Sequence, residues 1–264
     1  MADQRKTEFD VVSYNREAWN REVDRGNEWT VPVSAEQVAA ARQGELHLLL
    51  TPTRPVPRGW LGDLAGARVL GLAAAGGQQG PLLAAAGAQV TILDNSPRQL
   101  DQDRVVALRD GLELRTELGT MTDLSRFAED SFDLIFHPVS NLFVPDVRPV
   151  WQACQRVLAP GGALLAGFAN PAQYLFDFAA EERGELVVRY RLPYSDRGDL
   201  PAEAVRALVQ RGDPLEHGHP LEDQIGGQTD AGLLITGFYE DTQPGRHLCT
   251  FMPIFVATRA IKPC

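Results

Sequence analysis

The sequence predicts an α/β fold, a doubly wound and mostly parallel sheet with helices on both faces. Three observations carry that reading. Short apolar, β-prone runs alternate with helical patterns over about a hundred residues, from Ala67 to Phe168. The most regular unit, Ala67–Asp94, reads ARVLGLAAAGGQQG and then PLLAAAGAQVTILD. Strand, small-residue turn, helix, strand, acid is the layout of a βαβ unit that binds an adenosine-type ligand. The breaks between runs hold Gly, Pro, Ser and Asn, where turns belong. Ligands of such sheets bind outside the carboxyl ends of the strands. The loops after Leu72, Asp94, Leu118, Phe136 and Phe168 therefore share one rim.

In chain order, 264 residues suggest one large domain, or one domain with an inserted or appended lobe. Residues 1–60 read as an N-terminal helical cap and Pro-rich linker. Residues 61–264 read as the main domain, with an insertion at about 171–220. Residues 1–10 are charged and expected to fray. Val11 to about Arg25 suits a helix carrying Tyr14, Ala18 and Trp19 toward one side. After Trp29 comes a turn and a second helix, capped by Ser34 with Gln37 in the capping-box position. The stretch LTPTRPVPRGW, residues 50–60, holds three prolines and reads as a firm linker into the first strand. Trp19 and Trp29 have two readings: a cap over the ligand, or packing of the helices onto the domain surface. The second is the commoner case.

Inside the βαβ unit, small residues let the backbone approach a ligand closely, and Pro81 suits the first turn of the helix. Ser96, Pro97 and Gly111 mark the start and stop of the next helix. A strand at Leu112–Glu117 follows, then GTMTDL, a compact strand at Phe132–Phe136 and the polar loop HPVSN. Trp151–Leu158 is helical, Ala159–Gly162 a turn, and Ala163–Phe168 a buried strand. Residues 171–220 are the least regular part. Their Tyr174, Phe176, Tyr190 and Tyr194 either line a pocket or pack the lobe. Gly226 and Gly227 call for close backbone packing.

Composition narrows the function. With 35 acidic and 25 basic side chains the net charge is −10, which disfavours nucleic acid and anionic membrane surfaces as partners. No apolar run is long enough to span a bilayer, and the first residues are too polar for a secretory signal. Cys154, Cys249 and Cys264 are few and scattered, as in a reducing compartment, so a cytoplasmic location is expected. Glu216, His217, His219 and Glu222 match no metal-ligand spacing and read as solvated surface; no metal is expected.

The series GLAAAGGQQG, TILDNSP, GTMTDL, SFDLIF and RVLAPGGALLAGF, in this order, resembles the class I S-adenosylmethionine-dependent methyltransferases. The resemblance spans roughly residues 67–170 and resumes at LEDQIGGQTDAGLLITGFYED and FMPIFVATRAI. It implies a Rossmann-like, seven-stranded sheet ending in an antiparallel hairpin, with S-adenosylmethionine as cofactor. It also implies direct methyl displacement onto an acceptor, here a small molecule. The family pattern assigns the ribose hydroxyls to Asp94, places Asn95 beside the adenine, and turns backbone near Met121 toward the adenine edge. Leu72, Ala73, Ala75, Gly77, Gln78, Gln99, Thr120 and His137 complete the cofactor set. His137 is also the candidate catalytic base; its other reading is a histidine bonded to loop backbone. Ser140 and Asn141 read as loop-stabilising.

The chain departs from the pattern at four places. Gly71 stands where the first strand usually carries an acid, Ala73 and Ala75 replace glycines, and Thr120 replaces a frequent acid. Two other readings follow from the residues. AGGQQG nearly fits G-x-G-x-x-G, which would make the chain a nicotinamide-dependent oxidoreductase. The segment after Asp94 does not resemble a second mononucleotide-binding half, which argues against it. The altered glycines would also suit a non-catalytic protein that only binds S-adenosylmethionine.

Overall fold

The computed structural model describes residues 9–264, so the fraying expected of residues 1–8 lies outside the described part. Helix α1, Val11–Arg25, begins on Asp10, whose carboxylate accepts from Ser13 N–H at 3.0 Å, and stops at Gly26 in the left-handed conformation. Helix α2, Ala35–Arg42, opens with the expected reciprocal capping box of Ser34 and Gln37. After the single turn α3, Arg58–Leu61, the sheet begins.

Seven strands form that sheet: β1 Arg68–Leu72, β2 Gln89–Asp94, β3 Leu114–Leu118, β4 Phe132–His137, β5 Leu158–Ala169, β8 Leu234–Asp241 and β9 Phe255–Ile261. Their order is β3-β2-β1-β4-β5-β9-β8, with β9 antiparallel to both neighbours and every other pair parallel. Between the strands lie α4 Gln79–Ala85, α5 Pro97–Asp110 and α6 Arg148–Val157. Residues 171–220 hold α7 Phe178–Glu181, α8 Asp196–Asp199, α9 Ala202–Arg211 and a two-stranded ladder, β6 Tyr194–Ser195 with β7 His217–Gly218. A π-turn, Glu222–Gly226, runs into α10, Gly227–Asp230.

Side chains alternate across each strand, so one sheet feeds two cores. Val69, Leu134, Phe136 and Leu165 face α2 and α4, while Leu70, Leu72, Ile135 and Leu164 face α6. The 171–220 lobe has its own cluster, built on Tyr174, Tyr194 and Leu248. Gly227 approaches α6 so closely that a Cβ would lie 2.7 Å from the fully buried Trp151 ring, which is the close packing its position implied.

Three boundaries differ from expectation. β3 starts two residues later, at Leu114, and α6 starts at Arg148, where Pro149 fits the first turn. The APGG turn lies within β5. Leu158 pairs with Phe132 and Ala163 with Leu134, so the extra residues bulge, and Gly161 and Gly162 are bonded to Lys262 at 2.9 Å each way.

The Pro-rich stretch is more than a spacer. Leu48, Leu50 and Val56 are buried in the same core as Phe136 and Leu165. The Leu50 carbonyl accepts from Val139 N–H at 3.0 Å and lies directly against Gly167 of β5, where a Cβ would collide with it. Asp241 holds Thr53 and Arg54 by their N–H groups at 2.8 and 2.9 Å. Among the described residues, no helix is long and apolar enough to cross a membrane.

Candidate functional site

A cavity of about 950 Å³ opens over the carboxyl ends of the strands, where the sheet topology directs ligands. Its floor includes Ala73, Ala75 and Asp94 from the loops after β1 and β2, with Thr120 and Met121 from the loop after β3. The loop after β4 contributes Ser140. The far end is walled by Tyr174, Asp196 and Glu216 of the 171–220 lobe.

Asp94 ends β2 with its carboxylate turned toward the β1 loop. Ala75 N–H donates to Oδ2 at 3.3 Å and Ser96 N–H to Oδ1 at 2.9 Å. Burial pushes this carboxyl up to about 6, against the pull of those N–H bonds. The Ala-Gly loop is held from beneath by Asp103 of α5, which is wholly buried. Its Oδ2 accepts from Gly76 N–H at 3.1 Å, while Oδ1 has no partner. Burial, aided by the charge of Asp94, pushes Asp103 up to about 8. Gly76 has φ +108°, and a Cβ there would sit 2.7 Å from Gln99 Oε1 and 2.9 Å from the Trp29 carbonyl. Ala73 keeps the left-handed conformation that a glycine would adopt freely, with φ +47°. At Gly71, where the family carries an acid, a Cβ would run into Ile92 Cδ1, so an acid there would require that side-chain end to turn away.

Eight of the eleven sequence-derived residues reach the cavity: Ala73, Ala75, Gln78, Asp94, Asn95, Gln99, Thr120 and Met121. Two of these have side chains already committed. Gln78 Nε2 donates to the carbonyls of Glu28 and Val31 at 2.9 and 3.0 Å, holding the Trp29 turn. Asn95 donates from Nδ2 to the Val12 carbonyl at 2.8 Å and accepts from Arg16 Nε at 3.1 Å, fastening α1. Thr120 shares a 3.0 Å bond with Thr122, and Gln99 Oε1 is buried without a partner.

Leu72, Gly77 and His137 do not line the cavity. Leu72 is fully buried and Gly77 faces Pro32 and the Gln102 carbonyl. His137 is fully buried too: Nδ1–H donates to the Leu72 carbonyl at 2.8 Å, the ring meets Trp151 edge-on, and Nε2 is unpartnered. Burial holds this imidazole down at about 4. A neutral ring sealed from the cavity is in no position to take a proton from an acceptor, so the backbone-bonded reading describes its geometry. Asn141 is fully buried and exchanges two 3.1 Å amide bonds with Gln224. The solvated-surface reading of Glu216 and His219 is corrected as well. His219 is buried on the Asn141 carbonyl, and Glu216 borders the cavity. No metal-ligand cluster occurs among the described residues.

The sequence reading missed Asp103 and placed Glu216 on the solvated surface. Asp103 had a signal, an acid between Leu100 and Val106 in the buried stripe of α5. Glu216 sits in an irregular segment with no pattern to read. The N-terminal aromatics do reach the cavity: Trp29 lines it, and Trp19 lines it while packing edge-on against Phe143 at 5.1 Å. Asn15 ties α1 to the lobe through the Leu215 carbonyl at 3.0 Å and the Leu215 N–H at 2.8 Å.

Known proteins resemble this chain in sequence and in fold. A family model described as a methyltransferase domain matches residues 70–166. The chain is 49% identical over 252 residues to the uncharacterised methyltransferase YbaJ of Bacillus subtilis strain 168, covering 96% of this chain and 98% of that one. Its fold is similar to an S-adenosylmethionine-dependent methyltransferase from Mesorhizobium loti, with TM-score 0.60, 19% identity, and 78% and 95% of the two chains covered. It is also similar to the 1,6-didemethyltoxoflavin-N1-methyltransferase of Burkholderia thailandensis, a structure holding 1,6-didemethyltoxoflavin and S-adenosylhomocysteine. There the TM-score is 0.58 at 14% identity, over 100% of this chain and 98% of that one.

Proposed function

The chain belongs to the class I S-adenosylmethionine-dependent methyltransferases, and from that premise we propose that it methylates a small molecule held beside the cofactor in the 950 Å³ cavity. The continuity of that cavity carries the reading. It runs from Asp94 to the aromatic lobe under α1 and the Trp29 turn. Its volume sits at the upper end of small-molecule sites, which leaves room for two modest ligands side by side. A net charge of −10 offers little to a phosphate backbone. The nicotinamide reading has no support left, because a hairpin stands where a second nucleotide-binding half would be.

The residues fit the cofactor. Asp94 presents a buried carboxylate with no basic partner, suited to a diol's two hydroxyl donors, and the loop from Ala73 to Ala75 keeps the floor low enough for close approach. Asp103 fixes that loop from behind. Thr120 and Met121 border the side proposed for the adenine, while Gln78 and Asn95 serve by fastening the N-terminal cap. When bound, S-adenosylmethionine supplies a methyl group on a sulfonium, already an excellent leaving group. The protein's part is then to align the acceptor and exclude water. Residues 11–42 form the cap and 171–220 the acceptor lobe in this reading. The three free cysteines fit a cytoplasmic location.

Methyl-labelled S-adenosylmethionine incubated with the protein and a size-fractionated cell extract tests the proposal. Label is expected in the small-molecule fraction. Label entering RNA or protein instead would contradict it.

A further inference from the structure

The far end of the cavity has a charge pattern of its own. Tyr174 and Tyr194 stack at 5.1 Å, with Phe178 edge-on to both and Tyr190 tilted against Tyr194 at 5.4 Å. Asp196 is satisfied within this group: Tyr194 Oη donates to Oδ1 at 2.8 Å and Glu216 N–H to Oδ2 at 2.8 Å. Glu216 is satisfied on one side only. Tyr174 Oη donates to Oε2 at 2.9 Å, and among the described residues nothing donates to Oε1. That oxygen is not sealed in protein, since Glu216 lines the cavity.

The basic groups nearby are already used. Arg189 pairs with Asp177 at 2.7 Å. Arg246 pairs with Glu181 at 2.7 Å and reaches the Gln173 amide oxygen at 3.4 Å. Neither Glu216 nor Asp196 has an ion-pair partner among the described residues, and Arg246, committed to Glu181, acts on Glu216 only from a distance, so the free Glu216 oxygen favours a charged donor. A neutral hydroxyl would supply a donor but no charge; an anion would be repelled.

We propose that Glu216 is the specificity-determining residue of the acceptor site and that the acceptor carries a protonated amine on an apolar or aromatic body. The ammonium donates to Glu216 Oε1, and the body lies against the tyrosine cluster. This rests on the reading of that end of the cavity as the acceptor site. Burial and the neighbouring Asp196 charge raise the Glu216 carboxyl to about 7, so a bound ammonium would also hold it ionised. The arrangement concerns binding, and the methylated atom need not be that nitrogen.

Calorimetric titration of the full chain, saturated with S-adenosylhomocysteine, tests the proposal with three probes of one size: phenethylamine, 2-phenylethanol and phenylacetate. Phenethylamine is expected to bind roughly tenfold or more tighter than the other two, as a charge-assisted bond to a buried carboxylate allows. Glu216→Gln should remove that preference while leaving S-adenosylhomocysteine affinity unchanged. Tyr174→Phe, which frees Glu216 without removing it, should weaken the amine by a smaller factor and gives a second reading if the first variant folds poorly. Equal or tighter binding of the alcohol or the acid overturns the proposal. So does amine affinity unchanged in Glu216→Gln, or no amine binding at all. Small-molecule methyl transfer accompanied by any of these results would leave the acceptor cavity standing and remove only the amine.

Discussion

Asp103 is where the chemistry of single residues is most exposed to test. Four carboxyls are pushed up by burial, Asp94 to about 6, Glu216 to about 7, Asp103 to about 8, and Asp196 as well. Each binds its proton more tightly folded than unfolded, so each adds stability in acid that is lost as pH rises through its folded value. His137 and His217, held down at about 4, act oppositely, and their stability is lost only as pH falls below the ordinary imidazole range. Between pH 6.5 and 8.5 the carboxyls therefore dominate. The ligand-free protein should lose stability across that window, with about 2 kcal/mol of the loss due to Asp103. Urea midpoints at both pH values check this, and Asp103→Asn should flatten the difference. At Ala73, Ala73→Gly should remove left-handed strain but add unfolded-chain entropy, raising the melting temperature by about 1–3 °C. A drop would mean that the loop tolerates alanine without strain. The position of Asp94 on the cavity floor was legible in the sequence, because a residue ending the second strand of a βαβ unit stands on the rim where ligands bind. His137 was misleading because position after a strand does not reveal which way a ring points.

Among the elements, α1 and the 48–56 stretch decide whether the cavity is roofed. Asn15 is buried and makes three bonds, to Phe143 O and to both backbone groups of Leu215. Asn15→Ala should cost about 2–3 kcal/mol, since it strands a buried N–H. It should also speed amide exchange in residues 11–25, and exchange as slow as in the wild type would show that α1 is held by other contacts. Gly167→Ala should cost a further few kcal/mol, about 1–3, because the Leu50 backbone cannot step aside as a side chain would. Chemical denaturation measures it directly. Helices α2 and α5 were readable from their caps, Ser34 with Gln37 and Ser96 with Pro97, which act locally, and α1 from the spacing of Tyr14, Ala18 and Trp19, its cap Asp10 going unread. The burial of Leu48 and Leu50 was hidden because three prolines signal irregular backbone and say nothing of depth. The APGG segment was readable as a turn but not as a bulge bonded to Lys262, a partner a hundred residues away.

At the scale of the whole molecule, the parallel sheet with helices on both faces and the rim where the cavity opens followed from alternation of short apolar runs with helices, while the terminal hairpin followed only from the family resemblance and the strand order was not read. The lobe that walls the far end did not follow, since its contacts join Asn15, Tyr174, Asp196 and Glu216 across 200 residues of chain. In the proposed function one cavity holds the cofactor at Asp94 and the acceptor beyond it. Calorimetric titration of S-adenosylhomocysteine into the wild type and Asp94→Ala tests it most directly. Binding to the wild type, weakened in the variant by about 1–3 kcal/mol, is the expected result, the loss of a charged hydrogen-bond acceptor from a buried site. Equal affinity in the two proteins would contradict the placement of the ribose and, with it, the assignment of the cavity's two ends.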